Sequence, residues 1–288
     1  MPGNDPNRLR DFYEADYPRG QLETPLLADD DFIYGQVIGQ LRPYLRPGLK
    51  VLDTGCGIGA LSLYMASRGC EVLGVDIAGN AVQAARANAA RLGVRGAQFE
   101  IMDFATDWHE PHAFDFVLSS FALEHVSDDH RFMEVLASAL KPGGHALIFT
   151  GATGSTVVTL GRLFPWAYVT DAEAGHVRRY TRASLARVTQ EAGMVAQRTL
   201  YLDGLIRQGA ILCKPLRGIQ RVYGLPVLRR IVNGCDELLA RILSPGTVAV
   251  HALRPASVLT GHHTDARAGV GIALGGLTVP VGEGGSGH

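Results

Sequence analysis

The stretch VLDTGCGIGALS, residues 51–62, constrains the fold of this chain more than any other feature. An apolar run and the carboxylate of Asp53 lead directly into three closely spaced glycines, Gly55, Gly57 and Gly59. A glycine-rich turn at the carboxyl end of a strand lets the main chain approach a ligand, and it begins a helix whose first N–H groups point into a cleft. The stretch therefore predicts a strand–turn–helix unit of an open α/β sheet, with a ligand site at the turn.

The sequence around this stretch repeats the same alternation. Short apolar runs alternate with helical patterns between residues 50 and 150, which is typical of repeated βα units and a parallel sheet. Strands are predicted near residues 50–54, 71–76, 97–102, 114–120, 144–150, 195–202 and 246–254. Helices are predicted near residues 59–69, 79–93, 128–140 and 182–192.

The pattern divides the chain into five segments. We predict an N-terminal lid or substrate segment, a core, a helical insert, a last core strand and a flexible glycine-rich tail, at residues 1–30, 31–202, 203–244, 245–255 and 256–288. Within the core, the connection 151–180 is long for a compact domain, so we expect it to be a functional loop or lid.

Charge and cysteine usage exclude several classes of protein. The formal net charge of −1 gives no whole-chain field towards nucleic acid, and no basic stripe is present, so a nucleic-acid partner is not expected. The four cysteines form no CxxC pair, which favours reduced thiols. No apolar run long enough to span a bilayer is found, and no leader-like start. We therefore expect a cytoplasmic protein.

The insert 203–244 leaves two interpretations open. It is apolar and basic, with seven Lys or Arg residues against three acids. It is either a helical subdomain with solvated charges, or a face that makes peripheral contact with a membrane or binds an apolar substrate.

Two classes of ligand fit the glycine-rich turn. Gly55, Gly57 and Ala60 satisfy the dinucleotide pattern G-x-G-x-x-G/A, and Asp76 lies about twenty residues further on, so an NAD(P)-dependent oxidoreductase is one alternative. The longer pattern D-x-G-x-G-x-G includes Asp53. A carboxylate there repels a pyrophosphate but attracts an ammonium and a sulfonium group. This favours S-adenosyl-L-methionine.

On these residues the chain resembles the class I, Rossmann-like S-adenosylmethionine-dependent methyltransferases. It is closest to the small-molecule branch that includes the ubiquinone-biosynthesis enzymes, over roughly residues 30–202. VLGVD is similar to the family's second strand, EIMDF to the end of its third, FDFVLSSFALEHV to its fourth, and LKPGGHALIF to the entry into its fifth. The resemblance implies a doubly wound, seven-stranded, mostly parallel sheet, with the last strand antiparallel and a helical insertion before it.

The resemblance also implies a set of cofactor-binding residues. Asp76 lies where the family bonds the ribose hydroxyls, and Asp103 and Phe104 lie where it holds the adenine. The full set is Asp53, Gly55, Cys56, Gly57, Gly59, Asp76, Ile77, Asp103, Phe104 and Ser119. A structural alternative exists for each acid, because Asp53 could cap a helix, Asp103 could open a turn and Asp76 could be an ordinary strand-end acid.

The predicted reaction is methyl transfer to oxygen, nitrogen or carbon of a small molecule, possibly lipid-like or anionic; a non-catalytic cofactor-binding protein is a further alternative. His125 and His176 are the predicted catalytic residues, because an imidazole suits a base near neutral pH. Predicted substrate residues are Tyr13, Tyr17, Glu124, Arg178, Arg179 and Tyr180.

Other roles remain open for these residues. His125 and Glu124 could merely hold the turn or contact the cofactor. Arg178 and Arg179 suit an anionic acceptor, but a solvated basic turn explains them too. The oligomeric state is left open.

The sequence predicts no metal site. His109 and His112 have a suggestive spacing, but they lie in a polar loop with no further ligand in sequence reach.

Overall fold

The computed structural model of the chain describes residues 10–11, 13–15, 22–155, 163, 166, 170–202, 235–236 and 246–256. Seven strands in this part of the chain form one sheet. They are β1 (Lys50–Thr54), β2 (Glu71–Asp76), β3 (Ala97–Ile101), β4 (Phe114–Ser120), β5 (Leu140–Gly151), β6 (Val195–Leu202) and β7 (Thr247–Leu253).

The order of the strands across the sheet is β3-β2-β1-β4-β5-β7-β6. Neighbouring strands from β3 to β5 are parallel, whereas β7 is antiparallel to both β5 and β6. The predicted doubly wound α/β fold with an antiparallel last strand is confirmed. The order reverses between β1 and β4, and in such sheets a ligand binds at the carboxyl ends of the strands beside this reversal.

Helices join the strands of the described chain. They are α1 (Gly35–Leu41), α2 (Ala60–Ser67), α3 (Gly79–Leu92), α4 (Phe104–Asp107), α5 (Asp129–Ala139), α6 (Asp171–Ala174) and α7 (Arg182–Glu191). The four predicted helices correspond to α2, α3, α5 and α7. As predicted, Thr181 caps α7, and its hydroxyl accepts from the N–H of Ser184.

The core lies on both faces of the sheet because side chains alternate along each buried strand. On β5, Ile148 packs into one cluster together with residues of α5 and α7. Its neighbours Leu147 and Phe149 pack into the other cluster, with residues of α1 and α2. This two-sided burial fixes the sheet and leaves its carboxyl edge available for a site.

The structure differs from the sequence prediction at KPGG, residues 141–144. These residues were predicted to be a turn before the fifth strand, but they lie inside β5. The pairing of β4 with β5 shifts register between Phe114 and Phe116, opposite this stretch. Gly143 has φ +79, which a residue with a side chain rarely adopts. The KPGG stretch therefore forms an irregularity within β5 and not a turn before it.

Two of the predicted segments fall largely outside the described residues. Of the insert 203–244 only Cys235 and Asp236 are described, and of the tail 256–288 only Ala256, so these predictions remain untested. Among the described residues, no helix has the length and apolar character needed to cross a bilayer.

Candidate active site

A cavity of about 800 Å³ lies at the carboxyl edge of the sheet. Its walls come from the turns that follow β1, β2, β3 and β4, from Tyr13 and from residues 173–176. The lining includes His125, His176 and eight of the ten residues predicted to bind the cofactor: Asp53, Gly55, Cys56, Gly57, Asp76, Ile77, Asp103 and Phe104. Of the ten, only Gly59 and Ser119 are not among the lining residues.

The glycine-rich turn is shaped first by the protein's own packing. Gly55 has φ +74, and a Cβ there would lie 2.7 Å from Cβ of Ala122. Gly59 has φ +84, and a Cβ there would lie 2.9 Å from Cζ of Phe99. Both positions therefore exclude side chains even before a ligand enters, because the turn is held tightly against its neighbours.

Asp76, at the end of β2, braces this turn. Its Oδ2 accepts a hydrogen bond of 2.8 Å from the N–H of Gly57, and its Oδ1 accepts one of 2.9 Å from the N–H of Ala78. Burial raises the pKa of Asp76 despite these bonds. Each carboxylate oxygen can accept a second hydrogen bond, so the residue can still bind hydroxyl groups from the cavity.

Asp53 is a buried acid on the cavity wall, with only 2% of its surface exposed. The hydroxyl of Ser62 donates to its Oδ2 at 2.5 Å. Burial raises the pKa of Asp53 to about 7, and the nearby charge of Asp76 contributes in the same direction. The helix-capping alternative is wrong, because α2 has Gly59 at its N-cap and no side-chain cap. A cation in the cavity would relieve the cost of ionising this acid.

Asp103 fits both interpretations offered by the sequence. Its side chain accepts from the N–H of Ala105 at 3.2 Å and so caps α4. It also lines the cavity beside Phe104. Burial raises the pKa of Asp103 as well, so three acids with raised pKa values, Asp53, Asp76 and Asp103, share one cavity wall.

Ser119 is placed differently from the prediction. It is fully buried and does not line the cavity, whereas its neighbour Ser120 does. Successive side chains of a strand point to opposite faces, which accounts for the change of one residue. The next residue, Phe121, has φ +58, an uncommon conformation for a bulky side chain. Sequence reasoning missed Phe121, since nothing in its local pattern signals this backbone.

The two predicted catalytic histidines meet at the other end of the cavity. The ring centroids of His125 and His176 lie 4.7 Å apart, and Tyr13 meets the ring of His125 edge-on at 5.4 Å. Glu124 is 1% exposed, and its Oε2 accepts from the hydroxyl of Thr150 at 2.7 Å. This acceptor end gathers residues from three distant parts of the sequence. Tyr17 lies outside the described residues.

Arg178 and Arg179 do not line the cavity, contrary to the role predicted for them. Arg178 forms an ion pair with Asp129. Arg179 donates from Nε to Asp171 at 2.8 Å. Because a carboxylate already neutralises each guanidinium, the predicted binding of an anionic acceptor finds no support here.

Tyr180 has a structural contact as well. It is buried and does not line the cavity, and its hydroxyl donates to Asp129 at 2.7 Å. Burial and the bond to Asp129 raise the pKa of Tyr180. Through their contacts with Asp129, Tyr180 and Arg178 thus hold the loop before α7 against α5.

Glu14 is a further residue that sequence reasoning missed. Its carboxylate accepts from the N–H of Gly79 at 2.6 Å and from the N–H of Asn80 at 3.2 Å. These N–H groups begin α3, whose own N-cap, Ala78, provides no side-chain bond. Glu14 therefore fixes the N-terminal segment beside the cavity, with the adjacent Tyr13 on its wall.

The family of the chain follows from a comparison with family models. The model described as a methyltransferase domain matches residues 31–197, more than half of the chain. The chain belongs to the methyltransferase domain family. The family predicted from the sequence is thereby confirmed.

Curated relatives agree with this assignment over part of their length. The chain is 36% identical over 116 residues to a ubiquinone biosynthesis O-methyltransferase of Leptothrix cholodnii, covering 40% of this chain and 47% of that protein. It is 37% identical over 106 residues to phosphoethanolamine N-methyltransferase 1 of Zea mays, covering 36% of this chain and 21% of that protein. The matches thus span less than half the length of either relative.

Solved structures share the fold at low sequence identity. A phosphoethanolamine N-methyltransferase 2 of Haemonchus contortus, in complex with S-adenosyl-L-methionine, has a TM-score of 0.57 at 19% identity, covering 77% of this chain and 53% of that chain. The [4+2]-cyclase SpnF has a TM-score of 0.60 at 17% identity, and the match covers 89% of this chain and 99% of that chain. At such identities the likeness concerns the fold alone.

Proposed function

We propose that this methyltransferase transfers a methyl group from S-adenosyl-L-methionine to a small, non-anionic acceptor held beside Tyr13, His125 and His176. One observation carries the proposal: a single cavity joins the three strand-end acids to the pair of histidines. The family match removes the nicotinamide-dependent alternative.

The acids suit the donor molecule. Asp103 and Phe104 offer a hydrogen-bond acceptor and a ring face to the adenine. Asp76 offers two oxygens to the ribose. Asp53, whose pKa is raised to about 7 by burial, gains stabilisation as a carboxylate when the ammonium and sulfonium charges enter. S-adenosyl-L-methionine is therefore both sterically and electrostatically compatible with this wall.

The charge of the cavity argues for the kind of acceptor. No Lys or Arg is among the residues that line it in the described part of the chain. Besides the two imidazoles and Tyr13, the cavity wall presents Phe121 and Glu173. A carboxylate or phosphate would find no cation there, whereas a neutral hydroxyl or an amine would find hydrogen-bond acceptors and apolar walls.

The chemical step is an in-line displacement at carbon. The acceptor atom forms a bond to the methyl carbon while the carbon–sulfur bond breaks and its electron pair stays on sulfur, which gives neutral S-adenosylhomocysteine. The proton of the acceptor passes to a nearby base. The protein contributes mainly alignment of the two reactants and exclusion of water, and His125 and His176 are the groups placed to take the proton.

Two further predictions belong to this proposal. The unpaired cysteine pattern is consistent with a cytoplasmic location. The apolar, basic insert 203–244 would suit a lipid-like acceptor or a peripheral membrane contact. Flotation with anionic liposomes, with and without this insert, tests the second prediction, and equal recovery of the two forms would remove it.

Binding and turnover test the proposed reaction separately. S-adenosylhomocysteine should raise the melting temperature of the purified chain, whereas NAD should not, because a ligand that binds only the folded form stabilises it. Methyl-labelled S-adenosylmethionine should then label a small molecule in a cell extract. Binding without any labelled product would instead favour the non-catalytic alternative.

A further inference from the structure

Glu124, His125 and His176 form a cluster of potential metal ligands, in which the two histidines line the cavity and Glu124 is buried and not among the lining residues. One donor atom from each side chain lies within 4.8 Å of the other two. Glu124 and His125 belong to the turn after β4, and His176 to the loop that follows α6. The N–H of Val177 donates to the carbonyl of Glu124 at 2.9 Å, which holds the two segments together.

Glu124 is the deeply buried member of this cluster. The side chain is 1% exposed, and among the residues that the structure describes no Lys, Arg or His forms a salt bridge with it. The hydroxyl of Thr150 supplies a hydrogen bond but no charge. A buried carboxylate is costly unless it is paired with a cation or binds a metal.

Both histidines have the outer contacts that a metal ligand requires. His125 Nδ1 lies 3.4 Å from the carbonyl oxygen of Gly175, and His176 Nδ1 lies 3.1 Å from Oδ1 of Asp171. Nη2 of Arg179 also lies 3.2 Å from Nδ1 of His176, and both side chains share Asp171. In the tautomer in which Nδ1–H donates to the oxygen, Nε2 carries the lone pair. Metal-binding histidines are oriented in this way by a carbonyl or a carboxylate behind the ring.

From these contacts we propose that Glu124, His125 and His176 bind one divalent first-row transition ion, such as Zn²⁺ or Co²⁺. Two imidazole nitrogens favour such ions over Mg²⁺ and Ca²⁺, which prefer oxygen ligands. Ligand bonds of about 2.1 Å bring adjacent donors to about 3.3 Å, so the three side chains need to approach by roughly 1.5 Å, within reach of small side-chain rotations.

The ion deepens the proposed function and rests on it. Because His125 and His176 line the cavity, a hydroxyl of the acceptor would complete the coordination of the ion from that side. A bound ion lowers the pKa of a coordinated hydroxyl. The hydroxyl then releases its proton to solvent, and the oxygen attacks the methyl carbon while sulfur keeps the electron pair of the broken bond. This mechanism makes oxygen the methylated atom.

The proposed site differs from the sequence prediction of no metal. That prediction weighed the spacing of His109 and His112 and the lack of a carboxylate and amide cluster in the sequence. His125 and His176 are far apart in the sequence, and only the fold brings them together.

The test measures ion binding to the full chain after removal of metals with a chelator. Cobalt titration followed by visible absorption, together with zinc by equilibrium dialysis, should give one ion per chain. His125→Ala and His176→Ala should each weaken binding at least about 100-fold, since each removes a ligand, and Glu124→Gln should do the same without a change of size. His109→Ala is the control, because His109 is exposed and outside the cavity, and it should bind as the wild type does.

Two outer variants sharpen the test. Thr150→Val removes the hydroxyl bonded to Glu124, and Asp171→Asn removes the negative charge behind His176, while the three ligands stay in place. Each should weaken binding of the ion about 10- to 100-fold. Circular dichroism confirms that each variant is folded.

Failure of this proposal can be told apart from failure of the proposed function. Binding of S-adenosylhomocysteine is measured by calorimetry on the same metal-free samples. If the wild type binds no ion at millimolar concentration, or if His125→Ala and His176→Ala bind as tightly as the wild type, the metal site is refuted while cofactor binding persists. Loss of S-adenosylhomocysteine binding in the wild type would refute the proposed function instead.

Discussion

The two ends of the cavity are built in different ways. The cofactor end uses residues that directly follow β1, β2 and β3, so each lies in a short motif along the chain. The acceptor end combines Tyr13, His125 and His176, which come from three separate segments. The comparison teaches that local sequence specifies the end that binds the common donor, whereas tertiary contacts assemble the end that selects the acceptor.

The largest expected effect is on the rate of methyl transfer, and it distinguishes the acceptor end of the cavity from the cofactor end. His125→Ala should slow methyl transfer about 10²- to 10⁴-fold, because it removes a group that handles the acceptor proton or holds an ion for it. The dissociation constant of S-adenosylhomocysteine should change less than threefold. Single-turnover transfer and calorimetry measure the two quantities. Equal losses in both would show that the ends are not independent.

A second test concerns the packing of the glycine-rich turn. Gly55→Ala combines a left-handed backbone with a 2.7 Å approach to Ala122, so it should lower the free energy of unfolding by about 2–4 kcal/mol. Gly48 has φ +75 but nothing within 4 Å of an added Cβ, and Gly48→Ala should cost only about 1 kcal/mol. Denaturant unfolding measures both. Equal losses would mean that the contact with Ala122 contributes little.

Asp76 tests the cofactor end alone. Asp76→Ala should weaken S-adenosylhomocysteine binding by about 1–3 kcal/mol, because ligand hydroxyls and the N–H of Gly57 lose a charged partner. Glu100→Gln, on the exposed side of β3, is the control and should leave the dissociation constant unchanged. Calorimetry decides, and an unchanged constant in Asp76→Ala would remove this residue from the binding site.

The pH dependence of binding tests Asp53. The pKa of this residue is raised to about 7 in the folded chain, so its contribution to stability is full below about pH 4 and is lost as pH rises to about 7. A cationic donor pairs with the ionised form, so the affinity for S-adenosylmethionine should rise up to about tenfold between pH 6 and 8. Asp53→Asn should abolish this rise. A slope that persists in the variant would assign it to another group.

The smallest expected effect concerns Glu14, which holds the N-terminal segment against α3. Glu14→Gln removes a negative charge from the N-terminus of α3 and should weaken S-adenosylhomocysteine binding by about 0.5–1 kcal/mol. Glu23→Gln, an exposed residue outside the cavity, is the matched control. Limited proteolysis should cleave the N-terminal segment of the Glu14 variant faster. Identical cleavage rates in both variants would show that the contact does not hold the segment.

The sequence predicted most of the fold because its signals are local. The strand and helix pattern, Thr181 as a cap and the acids at the strand ends depend on neighbouring residues only. KPGG was misplaced, since a bulge inside a strand and a turn before it have the same composition.

The acceptor end was harder to predict because its contacts join distant residues. Arg178 and Arg179 looked available in the sequence, where their partners Asp129 and Asp171 cannot be recognised. The bond of Glu14 to α3 and the cluster of Glu124 with two histidines were missed for the same reason, because they also join distant residues. Nothing in the sequence signalled the left-handed backbone of Phe121.

The close approach of Ala122 to Gly55 sets a limit on redesign. A larger residue at position 122 would press on the donor-binding turn, so attempts to change the acceptor should keep this alanine. Variation at Val126, which lines the cavity away from that contact, can alter its shape while the donor site stays intact. Variants with new substrate preferences should therefore keep Ala122 and change Val126, in the same segment after β4.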